Sequence, residues 1–310
     1  MSISQLISLL VSNTLMYSAP LIFAALAGVI SEKSGVVTLG IEGVMNIGAI
    51  MGVVFGYYTK NPWLGFIGGG LAGALLMSLH AVASVSLRAN QTISGTAINL
   101  IGPALSIFLC KVFFDGSIIS ATVPKTLPRL LNFLRTNPNP AISSFNIDST
   151  WAMAIVATFI VWFLLYKTKY GLRIISVGEQ PAAADSLGIN VKTVRYVSVI
   201  IGGFLAGLGG AACTLRIVDS FNPTIIAGKG FIALAAVIFG KWKPQNAMGA
   251  CILFGFAQAL VVAVGGSKLT IPTSLISMLP YVLTMAILIL FVGKSESPAA
   301  SGQFFEKGKR

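Results

Sequence analysis

From position 63 to position 87 the chain reads Trp63-Leu-Gly-Phe-Ile-Gly-Gly-Gly-Leu-Ala-Gly-Ala-Leu-Leu-Met-Ser-Leu-His-Ala-Val-Ala-Ser-Val-Ser-Leu87, without one Asp, Glu, Lys or Arg. Coiled as a helix, that run is longer than the roughly 30 Å hydrocarbon core of a bilayer. A helix also pairs its backbone groups within the segment, as lipid requires. Runs of the same kind recur on both sides, and the sequence predicts nine spans at 7–29, 36–58, 63–87, 94–114, 150–167, 194–213, 226–240, 245–264 and 276–292. Composition agrees: of 310 residues, 55% are hydrophobic and 10% charged, against about 25% charged in soluble domains. A soluble enzyme, a disordered chain and a disulfide scaffold are excluded. The expected fold is all-α and polytopic, with one transmembrane domain over 1–295 and a short basic tail over 296–310.

Two spans look irregular. The seventh is short and flanked by glycine, as broken helices packed inside membrane proteins are. The second holds Gly40, Glu42, Gly43 and Gly48, so a non-helical start is expected there. No basic, signal-like stretch precedes the first run, which is expected to stay in the protein.

The net charge of +12 is read as topology and not as nucleic-acid binding, because the basic residues sit between apolar runs. With the C-terminus in the cytosol, Lys33, Arg88, Lys167, Lys169, Arg173, Lys192, Arg195, Lys241, Lys243 and Lys294 face inward, together with Lys307, Lys309 and Arg310 of the tail. The short outer loops then keep Lys60, Arg216, Lys229 and Lys268, with Lys111 at a span edge. The positive-inside rule therefore predicts N-terminus out and C-terminus in. An external insert, 115–149, carries Pro124, Pro128, Pro138 and Pro140 and matches no recognised motif.

An internal repeat is suggested by two echoes five spans apart. Ile22-Phe-Ala-Ala-Leu-Ala-Gly28 resembles Phe204-Leu-Ala-Gly-Leu-Gly-Gly210, and Ala72-Gly-Ala-Leu-Leu76 resembles Met248-Gly-Ala-Cys-Ile252. Spans 1–4 and 6–9 would then be inverted copies with a solute path at their interface. Helix interfaces built from small residues produce such echoes too.

The longest predicted cytosolic connection, 168–193, contains Lys169-Tyr-Gly-Leu-Arg173 and then Gly178-Glu-Gln-Pro181-Ala-Ala-Ala-Asp185-Ser-Leu-Gly188-Ile189. Proline is tolerated in a first helical turn, alanines favour helix, and glycine suits a left-handed stop. A short helix of small side chains over 179–189 is expected, shaped for docking a partner and not for crossing lipid.

With this segment the sequence resembles the permease subunits of bacterial ABC importers for simple sugars, nucleosides and branched-chain amino acids. Three further stretches resemble the nucleoside and sugar branch: Glu32-Lys-Ser-Gly35-Val-Val-Thr-Leu-Gly40-Ile-Glu42-Gly43-Val-Met45, Arg88-Ala-Asn90-Gln91-Thr-Ile-Ser94-Gly95-Thr96-Ala97, and Phe231-Ile-Ala-Leu-Ala-Ala-Val-Ile-Phe-Gly240-Lys-Trp-Lys-Pro244. Gln180 stands where the family usually has Asn, and Thr38 where Asn is frequent. The resemblance implies that Gly178, Glu179, Gln180, Pro181, Ala182, Ala183, Asp185, Gly188 and Ile189 couple to an ATPase. It also implies a separate cytosolic ABC ATPase, a second permease subunit or second copy of this chain, an extracytoplasmic binding protein, and the bacterial cytoplasmic membrane as the site of action. The chain has no Gly-x-x-x-x-Gly-Lys-[Ser/Thr] loop, so ATP and Mg would be held by the partner, with no cofactor on this chain.

Within the spans, Glu42 is the sharpest candidate for the solute path, since an ionisable group in a bilayer is costly. Serving a helix dipole as a first-turn carboxylate is its other reading. Asn46, Thr96, Asn99 and Gln258 could hydrogen-bond a sugar hydroxyl or a base edge, or could hold helices together. Asn90 and Gln91 precede span four, where they would end a loop or cap the helix through Ser94. One histidine, His80, and three scattered cysteines, Cys110, Cys213 and Cys251, offer no metal or nucleophile constellation. The alternative is an ion-coupled secondary transporter of a small polar solute, with Glu42 its one mid-span carboxylate.

Overall fold

Asn61 and Asn90 mark where two of the long helices begin. The Asn61 side chain accepts from the Trp63 amide with Pro62 in the first turn of the helix. The Asn90 side chain accepts from the amides of Thr92 and Ile93. Each satisfies backbone donors that a helix start leaves open. Asn90 is thus the cap of its helix, and Ser94 instead meets the His80 ring at 2.9 Å.

The computed structural model describes residues 3–130, 147–265 and 296–306, with positions 278, 282 and 285. Named in chain order, its helices are α1 (Ile3–Lys33), α2 (Ile41–Thr59), α3 (Pro62–Ala81), α4 (Gln91–Phe113), α5 (Ser149–Lys167), α6 (Lys169–Glu179), α7 (Pro181–Ser186), α8 (Val191–Ala212), α9 (Lys229–Phe239) and α10 (Pro244–Gly265). Single π turns prolong α3 through Ser86 and α8 through Ile217.

Among the described residues, seven helices, α1–α5, α8 and α10, are long and apolar enough to cross a membrane. Predicted span seven is α9, whose 11 residues rise only about 16 Å, half a bilayer core. Span nine, 276–292, lies outside the described residues apart from positions 278, 282 and 285.

The buried centre is α1, α2 and α8. Backbone meets backbone there: a Cβ at Gly210 would lie 1.9 Å from the Met45 carbonyl oxygen, and one at Gly48 would lie 2.3 Å from that of Gly207. Small residues allow helices this close, and the dispersion gained replaces the hydrophobic drive that lipid does not provide. The outer faces are apolar, with Leu75 of α3, Leu100 of α4 and Phe159 of α5 exposed. Such faces suit acyl chains and would be a liability in water.

The described parts of the 115–149 insert lie against the end of α8. The Val123 amide donates to the Asp219 carbonyl at 2.9 Å. Asp148 forms a buried ion pair with Arg216, whose Nε donates to Oδ1 at 2.8 Å. At the opposite end of the bundle meet the C-terminus of α1, the α3–α4 turn, α6, α7, the start of α8 and residues 296–306.

Candidate functional site

α2 begins inside the protein. After Lys33 the chain leaves the helix, turns through Gly35 at φ +85° and resumes helix only at Ile41. This interruption leaves backbone groups open at depth, and distant side chains close them. Gln91 accepts from the Val37 amide at 2.7 Å. Asn99 donates to the Leu39 carbonyl at 2.7 Å and accepts from the Gly43 amide at 2.9 Å. The His80 ring lies 3.1 Å from the Val37 carbonyl oxygen. Thr38 is fully buried, its hydroxyl bonded to that of Ser31.

α9 begins at a partly buried turn, and Glu42 joins that turn to the interruption before α2. One carboxylate oxygen accepts from the Gly228 amide and the other from the Gly230 amide, each at 2.7 Å, across 186 and 188 residues. Glu42 sits in the first turn of α2 and caps the N-terminus of α9, where the helix dipole is positive. The approach is so close that a Cβ on Gly230 would lie 2.5 Å from the Glu42 backbone. Gly228, at φ +86°, adopts the left-handed conformation that glycine takes most readily. A second tie lies nearer the end of the bundle, where Trp242 Nε1 donates to buried Glu32 at 2.5 Å.

Two motif stretches far away in sequence, 88–97 and 231–244, therefore meet the third, 32–45, the one through Gln91 and the other through Trp242. Of the predicted intramembrane candidates, the structure gathers Glu42, Asn46 and Asn99 at the start of α2. Asn46 donates to the Glu42 carbonyl at 2.9 Å, while its own oxygen is buried with no partner among the described residues. Thr96 stands on the outer face of α4, its hydroxyl returned to the Thr92 carbonyl. Gln258 is half-buried on α10, which packs on α1, α5 and α9. Glu32, Gln91 and Trp242 are site residues that the sequence reading does not pick out. Each lies in one of the motif stretches, which is the signal that the sequence carries for it.

The predicted helix over 179–189 takes a different form. Glu179 ends α6, an amphipathic helix that the alanine and proline pattern did not reveal, and the chain breaks at Gln180. Pro181 then opens α7, and Gly188 at φ +80° stops it. Gly178 is buried, because a Cβ there would fall 2.1 Å from the Lys33 carbonyl oxygen. Glu179, Gln180, Ala182, Ala183 and Gly188 are exposed, while Pro181, Asp185 and Ile189 are half-buried. The exposed face of α7 is thus small and shallow, and Ala184 on its other side packs with Val177 and Val191.

Residues 10–289 match the family described as branched-chain amino acid transport system / permease component. The chain is 43% identical to the nucleoside ABC transporter permease protein NupC of Lactococcus lactis, and the match covers all of both chains. It is 42% identical to the guanosine ABC transporter permease protein NupQ of Bacillus subtilis, again over all of both chains. A second Lactococcus lactis protein, the nucleoside ABC transporter permease protein NupB, is 26% identical over 94% of this chain and 82% of its own length.

Proposed function

This chain belongs to the permease component family of branched-chain amino acid transport systems, and from that premise we propose that it is the membrane-spanning subunit of an ABC importer for nucleosides. The substrate reading rests on the full-length likeness to NupC and NupQ. The coupling reading rests on one observation, the exposed small-residue face of α7. A separate ATPase, holding ATP and Mg, closes on α7 from the cytosol. The push reaches the bundle through Gly178, which touches the carbonyl end of α1.

The remaining features form part of the same proposal. The protein lies in the bacterial cytoplasmic membrane with nine spans, N-terminus out and C-terminus in. Its gathering of Lys33, Arg88 and 168–193 at one end of the bundle supports that topology, since the charge rule assigns all three to the cytosol. An inverted repeat pairs α2 with α9, and both begin at interruptions that Glu42 joins, as in repeat-built transporters. An extracytoplasmic binding protein delivers the solute. A second permease subunit completes the path, because exposed Thr96 can meet solute only where α4 faces another subunit. The two similar Lactococcus lactis permeases support such a pairing. Ion coupling through Glu42 is not favoured, as both its oxygens are engaged by backbone amides.

Uptake of labelled guanosine and of labelled ribose by the reconstituted complex tests the substrate. Guanosine should accumulate with ATP and ribose should not; the reverse result would remove the nucleoside reading. Topology is tested in a background lacking Cys110, Cys213 and Cys251. A cysteine at exposed Ser117 should react with an impermeant maleimide from outside, and one at exposed Ser186 only after permeabilisation. Ala183→Trp should weaken copurification of the ATPase by at least about tenfold, since bulk added to a packed interface is costly. Asp185→Asn should be milder. An Ala183→Trp complex that copurifies and transports normally would show that α7 is not the docking helix.

A further inference from the structure

Residues 296–306 belong to the basic tail that the sequence predicts, yet their path across the bundle is built from specific contacts. The Ala300 amide donates to the Gly178 carbonyl at 2.9 Å, and two residues later the Gly302 amide donates to that of Gly35 at 3.2 Å. The Gln303 carbonyl accepts from the Arg195 guanidinium at 2.8 Å and from Gln91 at 3.5 Å. The Ala299 amide donates to the Glu179 carboxylate at 3.3 Å. Glu306 forms an ion pair with Arg88, and Phe305 packs on the small cluster of Val177, Ala184 and Val191. Ala300 is 3% exposed, so the segment is seated and not merely adjacent.

Two of these anchor points matter together. Gly178 lies at the end of α6, just before the docking helix. Gly35 begins the interruption that leads to Glu42. The strap is hydrogen-bonded to both within three residues. Gln91, another of its partners, also holds the Val37 amide in that interruption.

We propose that residues 296–306 are a transmission strap that makes α6–α7 and the 34–40 interruption move as one body, so that a push on α7 reaches the Glu42 junction. This inference rests on the reading of α7 as the ATPase-docking helix. The strap is a positioning element and touches neither solute nor nucleotide. It covers Arg195, which is 2% exposed and whose Nε and second amino nitrogen have no partner among the described residues. Without the strap that guanidinium gains water, so the bundle beneath should still fold.

The test uses the full complex in proteoliposomes with guanosine as solute. It compares Phe305→Asp with a chain ended after Glu296. Both variants should reach the membrane and copurify with the ATPase. Both should hydrolyse ATP while guanosine moved per ATP falls by about tenfold, within the range by which mutations along a coupling network act. Phe305→Tyr, which keeps the ring, should restore the ratio. A structural role alone would lower yield without changing transport per ATP. Unchanged transport per ATP in either variant that assembles overturns the proposal. Loss of ATPase copurification also overturns it, since the strap would then be part of the docking surface. Ala183→Trp with an intact strap serves as the separate control. If it leaves docking unaffected, the α7 reading fails whatever the strap does.

Discussion

Glu42→Ala should lower guanosine uptake by at least about thirtyfold and reduce the melting temperature of the purified complex. The carboxylate accepts from the Gly228 and Gly230 amides, and its loss leaves two donors unpaired at the partly buried start of α9. Each unpaired donor costs about 1–3 kcal/mol, and every 1.4 kcal/mol or so is tenfold in an equilibrium. Glu42→Gln keeps one acceptor but turns an NH2 group toward the second amide, so it should fall between wild type and alanine. Glu42→Asp is one methylene too short to reach both amides and should resemble alanine. Uptake and thermal melting measured on all three variants check the series. A glutamine variant equal to wild type in both would show that the charge does not hold α9 in place.

Gly210→Val should leave almost no folded protein in the membrane. A Cβ at this position would lie 1.9 Å from the Met45 carbonyl oxygen and 2.9 Å from the Ala49 amide nitrogen. Both obstacles are backbone, so no rotamer change relieves them and α2 must separate from α8. Overpacking of a well-filled core costs about 1–3 kcal/mol when side chains can adjust, and here they cannot. Separation would also expose the Thr214 hydroxyl bond to the Ala49 carbonyl, 2.9 Å long, which ties the same two helices. Gly249→Val is the matched control, because nothing lies within 4 Å of its Cβ position. Membrane yield and size-exclusion behaviour should separate the two variants clearly. Equal yields would mean that the α2–α8 contact is looser than the structure shows.

Much of the architecture could be read along the chain because its causes are local. Apolar runs identify the long helices, as for Trp63–Leu87, which falls almost wholly within α3 and its π turn. The irregular start of span two and the shortness of span seven were legible from Gly40 and from the flanking glycines. Pro181 and Gly188 mark the two ends of α7 in the sequence, since one fixes a first-turn φ and the other accepts a left-handed stop. α6 was missed because its amphipathic pattern occupies a stretch read as a connection. Glu42 was visible as unusual, but its two readings could not be separated. They differ only in what the carboxylate meets, and that partner lies 186 residues away.

Hydropathy, proline and glycine positions thus established a helical membrane protein, its interrupted segments and the two ends of the short helix α7, because each acts within a few residues of its own position. The meeting of 32–45 with 88–97 and with 231–244, the capping of α9 by Glu42 and the seating of residues 296–306 on Gly178 and Gly35 were settled only by folding. Those contacts run largely through backbone amides and carbonyls. Nearly every residue carries the same pair of groups, so no amino-acid pattern announces which of them will meet.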